Sequence, residues 1–343
     1  MRSVLERVRR PETPGDAAPA RRRHGVPDFA LDRLSGVYVA IVLALVYSVT
    51  VPVFRTVNVA RTIASSQAIV GILTLGLMVA LICGVFDVSI AANMSFAVSL
   101  VGWLQADHGM NWVLAVLVTL LCGAAVGVAN AIIVTRLHVE AVIGTLGTMS
   151  ILTAASFLLV RGQDIFQGIS SSFISFGSVA PLTVPISVYY LAALAIILYF
   201  VLGHTTLGRY FYAVGANADA CRLAGIRVIR YQWTGLVISG VVASLAGVIY
   251  TMQQGAASYG AGDPYLLPAF AAAFLGSTQI KPGRFNVVGT LVAIYLLAIG
   301  VEGLQLQYPD NPWIADLFNG LALILAVALS QRSLRRRAAR ARA

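Results

Sequence analysis

The stretch WVLAVLVTLLCGAAVGVANAIIVT, residues 112–135, runs for 24 residues without one charged side chain. As an α-helix it is about 36 Å long, and a bilayer's hydrocarbon layer is about 30 Å thick. Nine other segments read the same way: Val37–Phe54, Ile63–Gly84, Ala91–Gln105, Ala141–Val160, Ile186–Gly203, Tyr231–Met252, Leu266–Ile280, Asn286–Gln305 and Trp313–Ser330. The fold class expected is therefore all-α, a polytopic membrane helix bundle of about ten transmembrane helices. Ala91–Gln105 and Leu266–Ile280 are short enough to be half-crossings.

Composition agrees. Of 343 residues, 58% are hydrophobic and 11% charged, against about 25% charged in soluble domains. A soluble domain of this length has too little interior for that much apolar surface. The net charge of +10 would suggest nucleic acid on a soluble chain. Here the arginines cluster at the two ends, as in Arg7, Arg9, Arg10, Arg21 to Arg23 and Arg335 to Arg337, where they favour anionic membrane lipid instead. Residues 1–36 read as a disordered basic cytoplasmic tail, 37–330 as the transmembrane domain and 331–343 as a second basic cytoplasmic tail. The paired arginines precede no cleavable signal, so the first apolar run is expected to stay as a span.

Placing the N-terminus in the cytoplasm and alternating sides puts twenty-one Arg and Lys residues inside and three outside, Arg55, Arg61 and Arg161. A missed span would exchange the sides of everything after it, so the asymmetry predicts an even number of spans and both termini inside. The segment 161–185 is then an outer loop, polar and rich in Ser and Gly, with room for partial folding. The segment 204–230 is cytoplasmic.

Several chemistries are excluded. The single lysine, Lys281, is followed by Pro282, so no Gly-Lys-Ser/Thr phosphate loop exists. Neither a His-Glu-x-x-His pair nor a Gly-x-Ser-x-Gly elbow occurs. Cys83, Cys122 and Cys221 form no CxxC pair, and the four histidines lack a second ligand at metal spacing. No catalytic residue, metal or cofactor is expected in this chain.

The 204–230 segment is too patterned for a plain connector. Asn217 suits a helix N-cap, Asp219 sits in the first turn, and Gly225 suits a left-handed stop. These specify one short helix of about two turns, either an ordinary capped connector or a docking element. Thr206-Leu-Gly-Arg209, Gly215-Ala-Asn217 and Ala220-Cys-Arg-Leu-Ala-Gly225-Ile resemble the ribose/xylose/galactose-type permeases of ATP-binding cassette (ABC) importers. Asp219-Ala-Cys-x-x-x-Gly225 is similar to the Glu-Ala-Ala-x-x-x-Gly coupling motif of such permeases. Gly84-Val-Phe-Asp87-Val-Ser89, Ile143-Gly-Thr-Leu-Gly-Thr148 and Phe274-Leu-Gly276-Ser-Thr with Gly289-Thr290 follow the family's order and spacing. Ala91 and Ala92, and the turn Lys281-Pro-Gly-Arg-Phe-Asn286, depart from it.

The resemblance implies a type II ABC importer-like permease in a bacterial cytoplasmic (inner) membrane, importing a small neutral solute such as a monosaccharide or polyol. It implies a second permease subunit, two cytoplasmic ATPase subunits that use the ATP, and an extracytoplasmic solute-binding protein; nucleic acid is not a partner. It assigns coupling to the ATPase to Gly208, Arg209, Gly215, Asn217, Asp219, Ala220, Arg222 and Gly225. The alternative is a stand-alone secondary transporter of a small solute, which would need ionisable residues within the spans.

Few such residues exist. Asp87 and Glu302 are the intramembrane carboxylates, with Asn93, Asn130, Gln67 and Asn319 as neutral companions. Gly84 offers a helix break, so either Asp87 lines a cavity there or Asp87 or Ser89 caps the following helix near the cytoplasmic surface. Asp87, Ser89, Asn93, Asn130, Thr145 and Thr148 are the candidate translocation path. Glu302 reads as interfacial. Gly123-Ala-Ala-Val-Gly127 and the run 240–247 read as helix-packing surfaces.

Cysteines placed singly in 161–185 are expected to react with an impermeant maleimide on intact cells, and a cysteine at Asn217 only after permeabilisation. Labelling of both from outside would refute the topology.

Overall fold

The computed structural model describes residues 34–342, and the expected N-terminal tail lies almost wholly outside them. Among the described residues there are thirteen α-helices and no β-strand. They are α1 (Ser35–Thr50), α2 (Val57–Ile82), α3 (Ile90–Ala106), α4 (Trp112–Thr135), α5 (Ala141–Val160), α6 (Ser171–Ser178) and α7 (Ile186–His204). There follow α8 (Thr206–Ala216), α9 (Ala218–Leu223), α10 (Val228–Gln254), α11 (Leu266–Gly276), α12 (Val287–Gln307) and α13 (Trp313–Arg342).

Every apolar segment read from the sequence becomes a helix. Seven are long and apolar enough to cross a membrane: α2, α4, α5, α7, α10, α12 and the Trp313–Ser330 part of α13. The other three, α1, α3 and α11, have 16, 17 and 11 residues. At 1.5 Å per residue α11 covers about 16 Å, half of a hydrocarbon layer. The last helix carries the C-terminal basic segment as a continuation of its span. The segment 161–185 holds α6, whose Phe173 is fully buried.

The half-length of α11 follows from the chain before it. After the left-handed Gly255, the chain turns back along α3. Ala257 fills the space beside Gly102, and the Gly262 N–H donates to Ser95 Oγ at 2.9 Å. Gly102 and Ala91, which Gly262 also meets, lie about 16 Å apart along α3. Residues 255–265 thus re-enter the bundle beside α3 and start α11 partway through it. Non-helical backbone is tolerated at such depth only inside protein or beside a water-filled cavity, and Ala257 and Gly262 are buried.

The centre is α2 and α10. Every residue from Ala68 to Ile82 is buried. Lipid gives helices no hydrophobic reason to associate, so close approach of small residues must hold them. The small-residue surfaces do this. A Cβ at Gly123 would lie 2.6 Å from the Gly240 carbonyl, and one at Gly127 would lie 2.6 Å from the Leu236 carbonyl. Gly247 rests on α3 at Met94 and Ala97, and Gly76 receives Val242. α10 therefore touches α4, α3 and α2 through glycine on one side of each contact.

Gly127→Val is expected to force α4 off α10, because backbone opposes the new side chain. The cost should be about 1–3 kcal/mol or more, seen as a lower apparent melting temperature in detergent. Gly147→Ala, with nothing within 4 Å of its Cβ position, should leave that temperature unchanged.

Candidate coupling and translocation site

The 204–230 segment contains two helices, where the sequence reading placed one. α8 was missed. Its cap is Thr205, whose Oγ1 accepts from Gly208 N at 3.3 Å, and it buries Phe211 and Val214. The signal was a capping threonine followed by apolar residues at 207, 211 and 214, obscured because α8 begins one residue after α7 ends.

The expected short helix is α9. Asn217 Oδ1 accepts from Ala220 N at 2.9 Å. Gly225 has φ +76, its N–H donates to Arg222 O at 3.0 Å, and Ile226 N donates to Cys221 O at 2.9 Å. That pair of bonds is a Schellman stop. Cys221 packs with Val214 and Val228 beneath the helix. Asp219 and Arg222 pair on its exposed side, Ala220 is exposed, and Leu223 is 92% exposed.

α8 is fastened to two breaks in the bundle. A Cβ at Gly215 would overlap the Ile82 carbonyl, so Gly215 packs directly on the last turn of α2. Gly84, with φ +78, faces it there. Tyr212 Oη donates to Phe285 O at 2.7 Å, in the link between α11 and α12, and the Arg284 guanidinium lies 3.6 Å from the Tyr212 ring centre. Burial raises the Tyr212 pKa against the opposing pull of Arg284. Gly208 packs on the Val201 and Leu202 carbonyls. Arg209 is exposed.

The link after Ile82 carries Asp87, 2% exposed. Its Oδ1 accepts from Ser89 Oγ at 2.6 Å and its Oδ2 from Ser239 Oγ on α10 at 2.6 Å. Asn130 Nδ2 on α4 donates to Ser89 Oγ at 2.8 Å and lies 3.5 Å from Asp87 Oδ1. The helix that follows has Ser89 at its cap position without a side-chain cap bond. Ser89 therefore does not cap the helix through its side chain, while Asp87 also accepts from the Ser89 backbone N–H and joins the link to α10, because a buried carboxylate needs donors. Asn93 Nδ2 donates to Gly240 O at 3.0 Å. Thr145 Oγ1 accepts from Val88 N at 3.1 Å. Thr148 bonds only to Gly144 O of its own helix, at 3.2 Å.

Five of the six candidate path residues thus meet around one helix break, in close packing rather than in an open channel. A separate cavity of about 120 Å³ lies among α2, α11, α12 and α13, and Gln67, Tyr265 and Asn319 face it. Glu302, the residue after Val301 of that cavity's wall, is half-buried. Among the described residues no group of three metal-ligating side chains occurs.

Residues 59–327 match the family described as branched-chain amino acid transport system / permease component. The chain is 30% identical over 318 residues to the ribose import permease protein RbsC of Escherichia coli (strain K12), covering 91% of this chain and 97% of that protein. It is 27% identical to RbsC of Bacillus subtilis (strain 168), covering 85% and 90%. It is also 27% identical to the autoinducer 2 import system permease protein LsrD of Salmonella paratyphi A, covering 83% and 87%. No solved structure matches the chain.

Ser239→Ala removes one donor from the buried Asp87. It is expected to cost about 1–3 kcal/mol and to lower the apparent melting temperature. Thr148→Val, whose bond stays within its own helix, should cost less than about 1 kcal/mol. Equal effects would mean that the Asp87 cluster holds nothing together.

Proposed function

Because the chain belongs to the branched-chain amino acid transport system / permease component family, as the membrane-spanning permease subunit of an ABC importer, we propose that its solute is a monosaccharide or a related polyol. It is a multi-pass protein of the inner membrane that works with an ATPase and a solute-binding protein, and it is not itself an enzyme. The relatives RbsC and LsrD are named for import of ribose and autoinducer 2. The spans support a neutral, hydroxylated cargo, since their carboxylates are few and Asp87 is already engaged by hydroxyls.

The assembly proposed is two permease subunits, two ATPase subunits on the cytoplasmic side and one binding protein outside, with both termini of this chain cytoplasmic. ATP is used by the partner, consistent with the lone lysine preceding proline.

The observation that carries the mechanism is the contact of Gly215 with Ile82. α9 is the surface that meets the ATPase, through Asn217, Asp219, Ala220, Arg222 and Gly225. α8, with Gly208, Arg209 and Gly215, transmits its displacement. A push on α9 moves α8, and α8 bears on the α2–α3 break and on the α11–α12 link together. These breaks are where a helix bundle can rock between inward- and outward-open arrangements. Asp87, Ser89, Asn93, Asn130 and Thr145 then form the inner wall that shifts with the break, and Thr148 continues it along α5.

The test is uptake of labelled ribose by cells that express this permease with its ATPase and binding protein, with xylose and galactose as competitors. Gly225→Val forces a β-branched residue into a left-handed conformation. It is expected to reach the membrane normally, abolish uptake and reduce ATPase recovery in pull-downs. Asp219→Lys should act similarly, by opposing the helix dipole. Wild-type uptake by both variants at matched expression would refute the coupling role. Absence of sugar uptake by the unmodified complex would refute the substrate class.

A further inference from the structure

A cavity of about 900 Å³ opens behind α9, between the end of α4 and the first turns of α10. Arg136, Arg227 and Arg230 stand around its mouth, all exposed, and none of them makes an ion pair among the described residues. No acidic residue lines it, and Arg222 at its edge is already paired with Asp219. The deeper wall is Trp233, Val237 and Ile238. Trp233 Nε1 donates to Thr135 Oγ1 at 2.6 Å, which fixes the ring between α4 and α10, and Arg136 lies 5.9 Å from its ring centre.

From Arg230 to Ile238 is eight residues of helix, about 12 Å. α10 is long and apolar enough to be a span, so the cavity joins a cationic end at the start of that helix to an apolar wall about 12 Å along it.

We propose that this cavity binds an anionic phospholipid, its headgroup phosphate held by Arg136, Arg227 and Arg230 and an acyl chain lying on Trp233, Val237 and Ile238. An amphiphile satisfies both halves at once. A cytoplasmic protein surface reaches the arginines but not a wall about 12 Å farther into the bilayer. A free phosphate leaves that wall uncovered. Basic pockets between spans on the cytoplasmic side suit such headgroups, and Trp favours the membrane interface. The site does not depend on the sugar reading. It lies against the exit of α9 at Gly225, so a bound lipid braces the coupling helix from behind.

The test is native mass spectrometry of the full chain in mild detergent, titrated with phosphatidylglycerol or phosphatidylcholine. Unmodified protein should retain phosphatidylglycerol preferentially, and inorganic phosphate at millimolar concentration should not displace it. Arg136→Gln, Arg227→Gln and Arg230→Gln together should abolish the preference, at about fivefold weaker retention for each arginine removed. The corresponding Lys substitutions should keep it. Where the triple variant does not fold, Arg227→Gln alone, an exposed position, should show the single-step loss. Equal retention of both lipids, displacement by phosphate, or an unchanged preference in the Gln variants would overturn the proposal. So would arginine variants that keep the lipid but lose the ATPase in pull-downs, which would make the cavity a protein contact.

Discussion

In a hydrocarbon layer no water is present to satisfy a peptide group, so every break in a helix must find its partners inside the protein. This constraint governs where the chain is allowed to be irregular. The link between α2 and α3 is irregular, and it lies in the embrace of α4, α5 and α10, with Val88 N bonded to Thr145 and Asp87 bonded to Ser239. The re-entrant segment 255–265 is irregular, and it lies against α3, bonded through Gly262 to Ser95. The helices with the most exposed surface are uninterrupted, such as α5, where Ile151 and Leu158 are largely exposed.

The breaks are also where α8 meets the bundle. α8 touches the α2–α3 break through Gly215 and the α11–α12 link through Tyr212. It does so through a backbone carbonyl and a stacked guanidinium, contacts with little slack. The short, well-capped α9 would be unstable alone at six residues. Its packing through Cys221 onto Val214 and Val228 makes it a firm extension of α8. α9 is thereby joined through α8 to the α2–α3 break and to the α11–α12 link.

Polar residues within the spans divide into two groups by what surrounds them. Asp87, Ser89 and the Asn130 amide nitrogen bond to one another and to Ser239, and Asn93 bonds to the Gly240 carbonyl, which gives the break a defined geometry. Gln67 and Asn319 instead face a cavity between α2 and α13. Residue type alone did not separate these groups, because a span asparagine that braces a helix and one that faces a cavity are identical in sequence.

The number of apolar segments, the all-helical class and the cap and stop of α9 were readable in the sequence, since each rests on local chemistry. Hydrophobic length sets a span, an Asn side chain reaches its own helix three residues on, and Gly at 225 is needed where φ is positive. The packing role of Gly123 and Gly127 was also readable, as spacing on one helix face. The sequence could not show that α8 is a helix bearing on Ile82, because Gly215 and Ile82 are far apart in the chain and only close approach in three dimensions makes that glycine obligatory. The same holds for the partners of Asp87: Ser239 lies on α10, 152 positions away. Local propensity and hydrophobicity decided where the helices are, and the demand that buried polar groups be satisfied across helices decided how they meet.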